Sequence, residues 1–146
     1  MLDQLTAQRS GSAEDTAART IIAQASLALA GRRDDIPKNF VAQLYGRVVA
    51  DDVVRYGAGD LSRLAERAYD YLRQRAPGAS KIRCETVQLV DSGERKAVTV
   101  IEVSNDDMPF LVDSVMGEIG DRKLDVRLVS HPVLGVKRQK GDLTAL

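Results

Sequence analysis

Apolar positions recur at helical spacing through the first half of the chain and alternate through much of the second half. Ser12, with Asp15 three residues on, gives a loose capping signal, and Ala18, Ile21, Ile22, Ala25 and Leu29 then repeat on one face until Gly31. The polar, weakly patterned residues 1–11 ahead of it predict a flexible tail. Pro37 suits the first position of a second helix, in which Phe40, Val41, Leu44, Tyr45, Val48, Val49 and Val53 form one stripe before Gly57 stops it. Asp60 is placed to cap a third helix, where Leu61, Leu64, Ala65, Ala68, Tyr69 and Leu72 share a face, and Pro77-Gly78 closes the segment. Stripes of this kind pack as core, so the three helices are expected to bury them against one another.

The period changes after Pro77-Gly78. KIRCETVQLV and RKAVTVIEVS are rich in β-branched residues and are joined by Asp91-Ser92-Gly93-Glu94, a turn composition, which predicts a hairpin. Pro109 then marks a helix start with Leu111, Val112, Val115, Met116 and Ile119 on one side, and Leu124 to Val129 alternates as a strand. Val133 to Arg138 reads as a further strand, with Pro132 at an edge, bulge or boundary because it cannot donate to a ladder. The strand Ala97–Val103, the helix from Pro109 to about Arg122 and the strand Leu124–Val129 have β-α-β spacing. Gly141-Asp142 is a turn signal that should lead into another element, yet the chain stops at Leu146, as a fragment of a longer protein would.

Charge and composition exclude several classes of function. The 21 basic and 21 acidic residues cancel and are interspersed, so no basic face collects phosphates, and nucleic acid is not expected as a partner. No apolar run approaches the roughly 20 residues that span a bilayer, and no signal-peptide core precedes the first helix, so no membrane partner is expected. The lone Cys84 has no internal disulfide partner and, with the lone His131, makes no zinc ligand set, which fits a reduced, cytoplasmic setting without metal.

Candidate chemistry is sparse. There is no Gly-rich phosphate loop and no G-x-S-x-G elbow. His131 has no acidic or nucleophilic partner in any recognisable motif, and a hydrogen-bonded structural role at a strand end is favoured over general base catalysis. Asp106 and Asp107 are too few and too close to supply the spaced oxygens of a hard-cation site. Together with Asp113 they complement instead the positive end of the helix that follows, and the apolar residues of that helix are expected to pack on a sheet.

At these residues a resemblance emerges. VIEVSNDD, then MPFLVDSVMGEI, then LDVRLVSHPVLGVKR resembles the first ACT-like module in the N-terminal region of the large bacterial NAD-specific glutamate dehydrogenases. FVAQLYGRVVADDV, LSRLAERAYDYLRQRAPG and KIRC are similar to the same family's leading helices and first strand, so the likeness runs from about Ile21 to Gly141. It implies an α+β fold in which N-terminal helices over 12–78 lead into an ACT-like (ferredoxin-like) β-α-β half over 79–146, truncated at its C-terminal end, with an antiparallel or mixed sheet.

The resemblance also implies a parent activity, oxidative deamination of L-glutamate with NAD as hydride acceptor. The family's dinucleotide-binding fold and catalytic lysine and aspartate lie far downstream and match nothing here, so the segment is expected to hold no catalytic, cofactor or metal residue, NAD belonging to the parent enzyme. The resemblance implies that such a module binds an amino acid in the loop between its first strand and first helix, here Asn105, Asp106, Asp107, Met108, Pro109 and Phe110, or pairs sheets to build oligomers. The usual ligand-binding pattern has Gly after the proline, and Phe110 stands there instead, which favours a packing or subunit-contact role over an amino-acid effector. The expected partners are the rest of the parent polypeptide and a second copy paired through open strand edges. The alternative is a stand-alone amino-acid-sensing ACT-like regulatory protein.

Overall fold

Ala18, Ala25 and Leu29 are buried on one side of the first helix, α1 (Leu2–Ala30), and against them lie the fully buried side chains of Phe40, Val41, Val53 and Leu61. The computed structural model describes residues 2–146, with the side chains of residues 2–10 and of Ser12 outside the described set. Three further helices build this core: α2 (Phe40–Tyr45), α3 (Ala50–Val53) and α4 (Ala58–Leu72). Each large apolar side chain removed from water there contributes on the order of 1.5–3 kcal/mol. Within the cluster the Phe40 and Tyr69 rings meet edge to face at 5.2 Å, and the buried Tyr45 hydroxyl donates to the Leu61 carbonyl at 2.8 Å. Burial pushes the Tyr45 phenol pKa up, so it stays neutral as a donor.

Three helix boundaries differ from the sequence expectation. Backbone helix is already present at Leu2, so Ser12 lies inside α1 rather than at its start; the side chains of the tail expected over 1–11 lie, Gly11 apart, outside the described residues. The single helix expected from Pro37 to Gly57 is two. Gly46 donates to the Ala42 carbonyl at 2.8 Å, and a Cβ at Gly46 would sit 2.5 Å from that oxygen, so the turn is too tight for any side chain. Val48 and Val49 then carry the chain to α3 outside helical geometry, with Val49 63% exposed. Asp60 does not cap α4, because Gly57 is the N-cap. Asp60 sits in the first turn, nearly buried, where it accepts the Val90 N–H at 2.8 Å and pairs with Arg63.

β1 (Lys81–Asp91) and β2 (Glu94–Ser104) form the expected antiparallel hairpin in unbroken register. Its two-residue loop has both residues left-handed, Ser92 at φ 52° and Gly93 at φ 85°, the turn that matches strand twist. One face lies on the helices. Leu89 enters the core, Arg67 of α4 reaches Glu85 at 2.8 Å and Glu102 at 3.2 Å, and Lys81 and Arg83 lie over the Tyr71 ring at 4.3 and 4.7 Å. Arg83 also reaches Glu102 at 2.6 Å, and Lys81 donates to the Tyr71 and Gln74 carbonyls. The opposite face is open, with Ile82 paired to Val103 and Cys84 to Ile101.

The rest of the chain shows the α+β class but departs in detail. α5 (Leu111–Asp121) begins two residues after Pro109, and none of its residues is buried, so its apolar side does not pack on a sheet here. Leu124 to Val129 is not a strand, and the β-α-β crossover is not closed. A strand has no hydrogen bonds of its own, and no neighbour is offered to this one. The strand expected over Val133–Arg138 shortens to β3 (Lys137–Gln139), which pairs with β4 (Asp142–Ala145) around Lys140-Gly141. Gly141-Asp142 thus does lead into another element, and Pro132 lies outside both sheets, ahead of β3.

Candidate functional site

The loop from Asn105 to Phe110 leaves β2 beside the segment that follows α4. The Ser80 hydroxyl donates to Asn105 Oδ1 at 2.7 Å, and Asn105 Nδ2 donates to the Asp106 carbonyl at 3.2 Å and to Met108 Sδ at 3.3 Å. Asp106 forms an ion pair with Arg75, whose side chain is only 10% exposed. Asp107, Met108 and Pro109 are exposed.

The helix-capping role expected of the acidic residues is not what the structure shows. The N-cap of α5 is Phe110, no side chain bonds to the helix start, and the Asp106 carboxylate is turned to Arg75 instead. Asp113 does sit in the first turn, where a negative charge complements the helix dipole. Phe110 holds φ 63° and is 76% exposed. An aromatic residue in that left-handed region is strained by about 1–2 kcal/mol, and Phe110 has little burial to offset it.

His131, expected to be hydrogen-bonded at a strand end, is exposed in the irregular stretch before β3, and among the described residues its imidazole has no hydrogen-bond partner. The same stretch does make one anchoring bond, in which the Ser130 hydroxyl donates to the Leu44 carbonyl. Among the described residues no group of three or more His, Cys, Asp or Glu side chains is placed to hold a metal ion, and no helix is long and apolar enough to cross a membrane.

Arg75 was missed at the sequence level, and the structure makes it the centre of the site. Its guanidinium gives one arm to Asp106 and another to the Ala79 carbonyl at 3.4 Å. Nothing in the local pattern around Arg75 signals this, because Asp106 lies 31 residues away. The loop is therefore tethered to the segment after α4 through the Asp106–Arg75 ion pair and the Ser80–Asn105 hydrogen bond.

The family described as the ACT1 domain of glutamate dehydrogenase matches residues 40–146. The chain belongs to this family. The ACT1 match covers α2 to β4, and it bears out the resemblance carried by MPFLVDSV and HPVLGVKR. Among curated relatives, the NAD-specific glutamate dehydrogenase of Halomonas elongata is 31% identical over 99 residues, which are 68% of this chain and 6% of the relative. The NAD-specific glutamate dehydrogenase of Pseudomonas aeruginosa is 28% identical over 105 residues, 71% of this chain and 6% of that relative. The chain thus spans about 6% of the length of these relatives. No solved structure matches it.

Proposed function

We propose that this ACT1 chain is a noncatalytic regulatory and assembly segment from the N-terminal region of a large, cytoplasmic NAD-dependent glutamate dehydrogenase. The parent reaction would convert L-glutamate, NAD and water to 2-oxoglutarate, ammonium and NADH. The family match over residues 40–146 carries this reading. Residues 12–78 serve as the helical lead-in and 79–146 as the ACT-like module, with NAD and the reacting groups held by the rest of the parent.

Two surfaces support a role in contact rather than chemistry. Ile82 is 69% exposed and Ile101 46% exposed on the open hairpin face, and Phe110 and Val112 are exposed at the start of α5. A contiguous apolar surface left in water is costly and marks a contact site. The rest of the parent polypeptide is the partner that covers it, and the loop Asn105–Phe110 lies between the two surfaces as the hinge or contact.

Titrating NAD into the purified chain and assaying it for glutamate-dependent NADH formation tests the noncatalytic assignment. Neither binding nor turnover is expected. Saturable NAD binding at micromolar concentration would overturn it.

A further inference from the structure

The segment after α4 is pinned to the β3–β4 turn by backbone hydrogen bonds. Leu143 donates to the Arg73 carbonyl at 2.8 Å, and Arg75 donates to the Gly141 carbonyl at 3.0 Å. Gly141 is buried at φ 89°, and a Cβ there would lie 2.9 Å from the Arg75 carbonyl oxygen, so only glycine permits this approach. Beside the junction opens a cleft of about 460 Å³, with Arg75, Ser80, Lys81 and Lys140 in its walls. That volume falls in the range of small-molecule sites.

The charges around the cleft are unbalanced. Arg138 sits behind it, donating to the Gly141 carbonyl at 3.1 Å, and is near enough to Arg75 that burial and the Arg75 charge together lower its pKa, against the raising effect of Asp106. Lys81, which already donates to two carbonyls, joins Arg75 and Lys140 in the walls, with Arg138 behind, and among the described residues the one carboxylate paired with any of these cations is Asp106 on Arg75.

The hydrogen bonding is incomplete as well. The Nε atoms of Arg75 and Arg138 are both buried without a partner. Asp106 takes only an Nη2 arm of Arg75, whereas a carboxylate bound across the guanidinium fork accepts from two nitrogens at once. A buried donor left unpaired is destabilising, so a ligand that satisfies it gains affinity.

We propose that this cleft binds a small dicarboxylate, one carboxylate spanning Nε and Nη2 of Arg75 in the place of Asp106 and the other lying toward Lys140 and Arg138. The group now on Arg75 is itself a carboxylate, which favours this class over a phosphate. Binding would release Asp106 and leave the Ser80–Asn105 hydrogen bond as the tether of the loop that leads to α5. That consequence deepens the regulatory reading above and rests on it, while the binding itself does not.

The test is calorimetric titration of the 146-residue chain with succinate, acetate and inorganic phosphate at constant ionic strength. Succinate is expected to saturate, with acetate and phosphate weaker by about tenfold or more. Lys140→Gln and Arg138→Gln should each weaken succinate, and Asp106→Asn, which removes the internal competitor, should tighten it. Lys140 is exposed, so its variant tests the site without endangering the fold. Absence of saturable succinate binding, or binding indifferent to Lys140→Gln and Arg138→Gln, would overturn the site. Phosphate binding as tightly as succinate would overturn the dicarboxylate class, and weaker binding by Asp106→Asn would overturn the displacement. All are read on the isolated chain, so they fail or hold independently of any effect on the parent enzyme.

Discussion

Asp91, 1% exposed at the end of β1, is held side-on by Arg55, with Nε at 3.1 Å and Nη2 at 2.9 Å. Ser92 reinforces the latch by donating its N–H to the Arg55 carbonyl at 2.9 Å, so the hairpin turn is tied to the chain between α3 and α4. A charge this enclosed persists because the bidentate Arg55 pair is joined by the Ser92 hydroxyl, which donates to Asp91 Oδ1 at 3.0 Å, and by Arg127 at 3.9 Å.

That pairing gives stability a pH dependence of definite sign. The Arg55 hydrogen bond holds the Asp91 carboxyl below its ordinary value of 3.8 against the opposing effect of burial, and Arg33 likewise brings Asp35 down to about 2. A carboxyl with a lower pKa in the folded chain contributes stability that is complete above its unfolded pKa and is lost as pH falls through the folded one. The urea midpoint should therefore hold steady near neutrality and fall between about pH 4 and about pH 2. Asp91→Asn should lower the midpoint near neutrality and flatten this fall. A midpoint that rises on acidification would contradict the assignment.

Asp60 anchors the other strand contact near the turn, since its carboxylate accepts the Val90 N–H from inside α4. Asp60→Ala should cost about 1–3 kcal/mol, because a backbone donor loses its partner. Hydrogen exchange distinguishes this from simple helix fraying: the Val90 amide should exchange faster while amides in α1 keep their relative protection. Unchanged exchange at Val90 would reject the anchor.

Phe110 is strained and exposed, so shortening it should help rather than harm. Phe110→Gly is expected to raise stability by up to about 1 kcal/mol, the left-handed strain relieved less the extra chain entropy of glycine. A thermal melt is sufficient. A clear loss of stability would mean that the ring makes contacts the isolated chain needs.

Away from Val90 and Asp91, which are bonded to Asp60 and Tyr56, the outer strand edges of the hairpin are open beside an apolar face, and open edges template pairing between chains. Self-association on raising the concentration is expected by light scattering, and Ile82→Lys with Ile101→Lys should suppress it. Monomer throughout would reject pairing through this face.

Much of this architecture was legible because it is local. The alternation of KIRCETVQLV and RKAVTVIEVS and the Ser92-Gly93 loop specify a hairpin without outside help, and the α4 stripe from Leu61 to Leu72 specifies a helix. The break at Gly46 was hidden by the apolar residues beyond it, since Val49 continues the stripe in sequence but turns to solvent in space. Leu124–Val129 has strand alternation yet no neighbour, and a strand exists only in pairing. The site was half legible: residues 105–110 stood out by composition, whereas Arg75 reaches them by an ion pair across 31 residues, and Arg138 and Lys140 come near only through the docking of the β3–β4 turn.

The most direct measurement is the single-turnover rate of NADH formation by the parent dehydrogenase with and without this segment. Assembly of both forms would be monitored by sedimentation. A regulatory and assembly role predicts that hydride transfer survives removal while oligomeric state or effector response changes. A correctly assembled enzyme that loses hydride transfer without the segment would contradict the account.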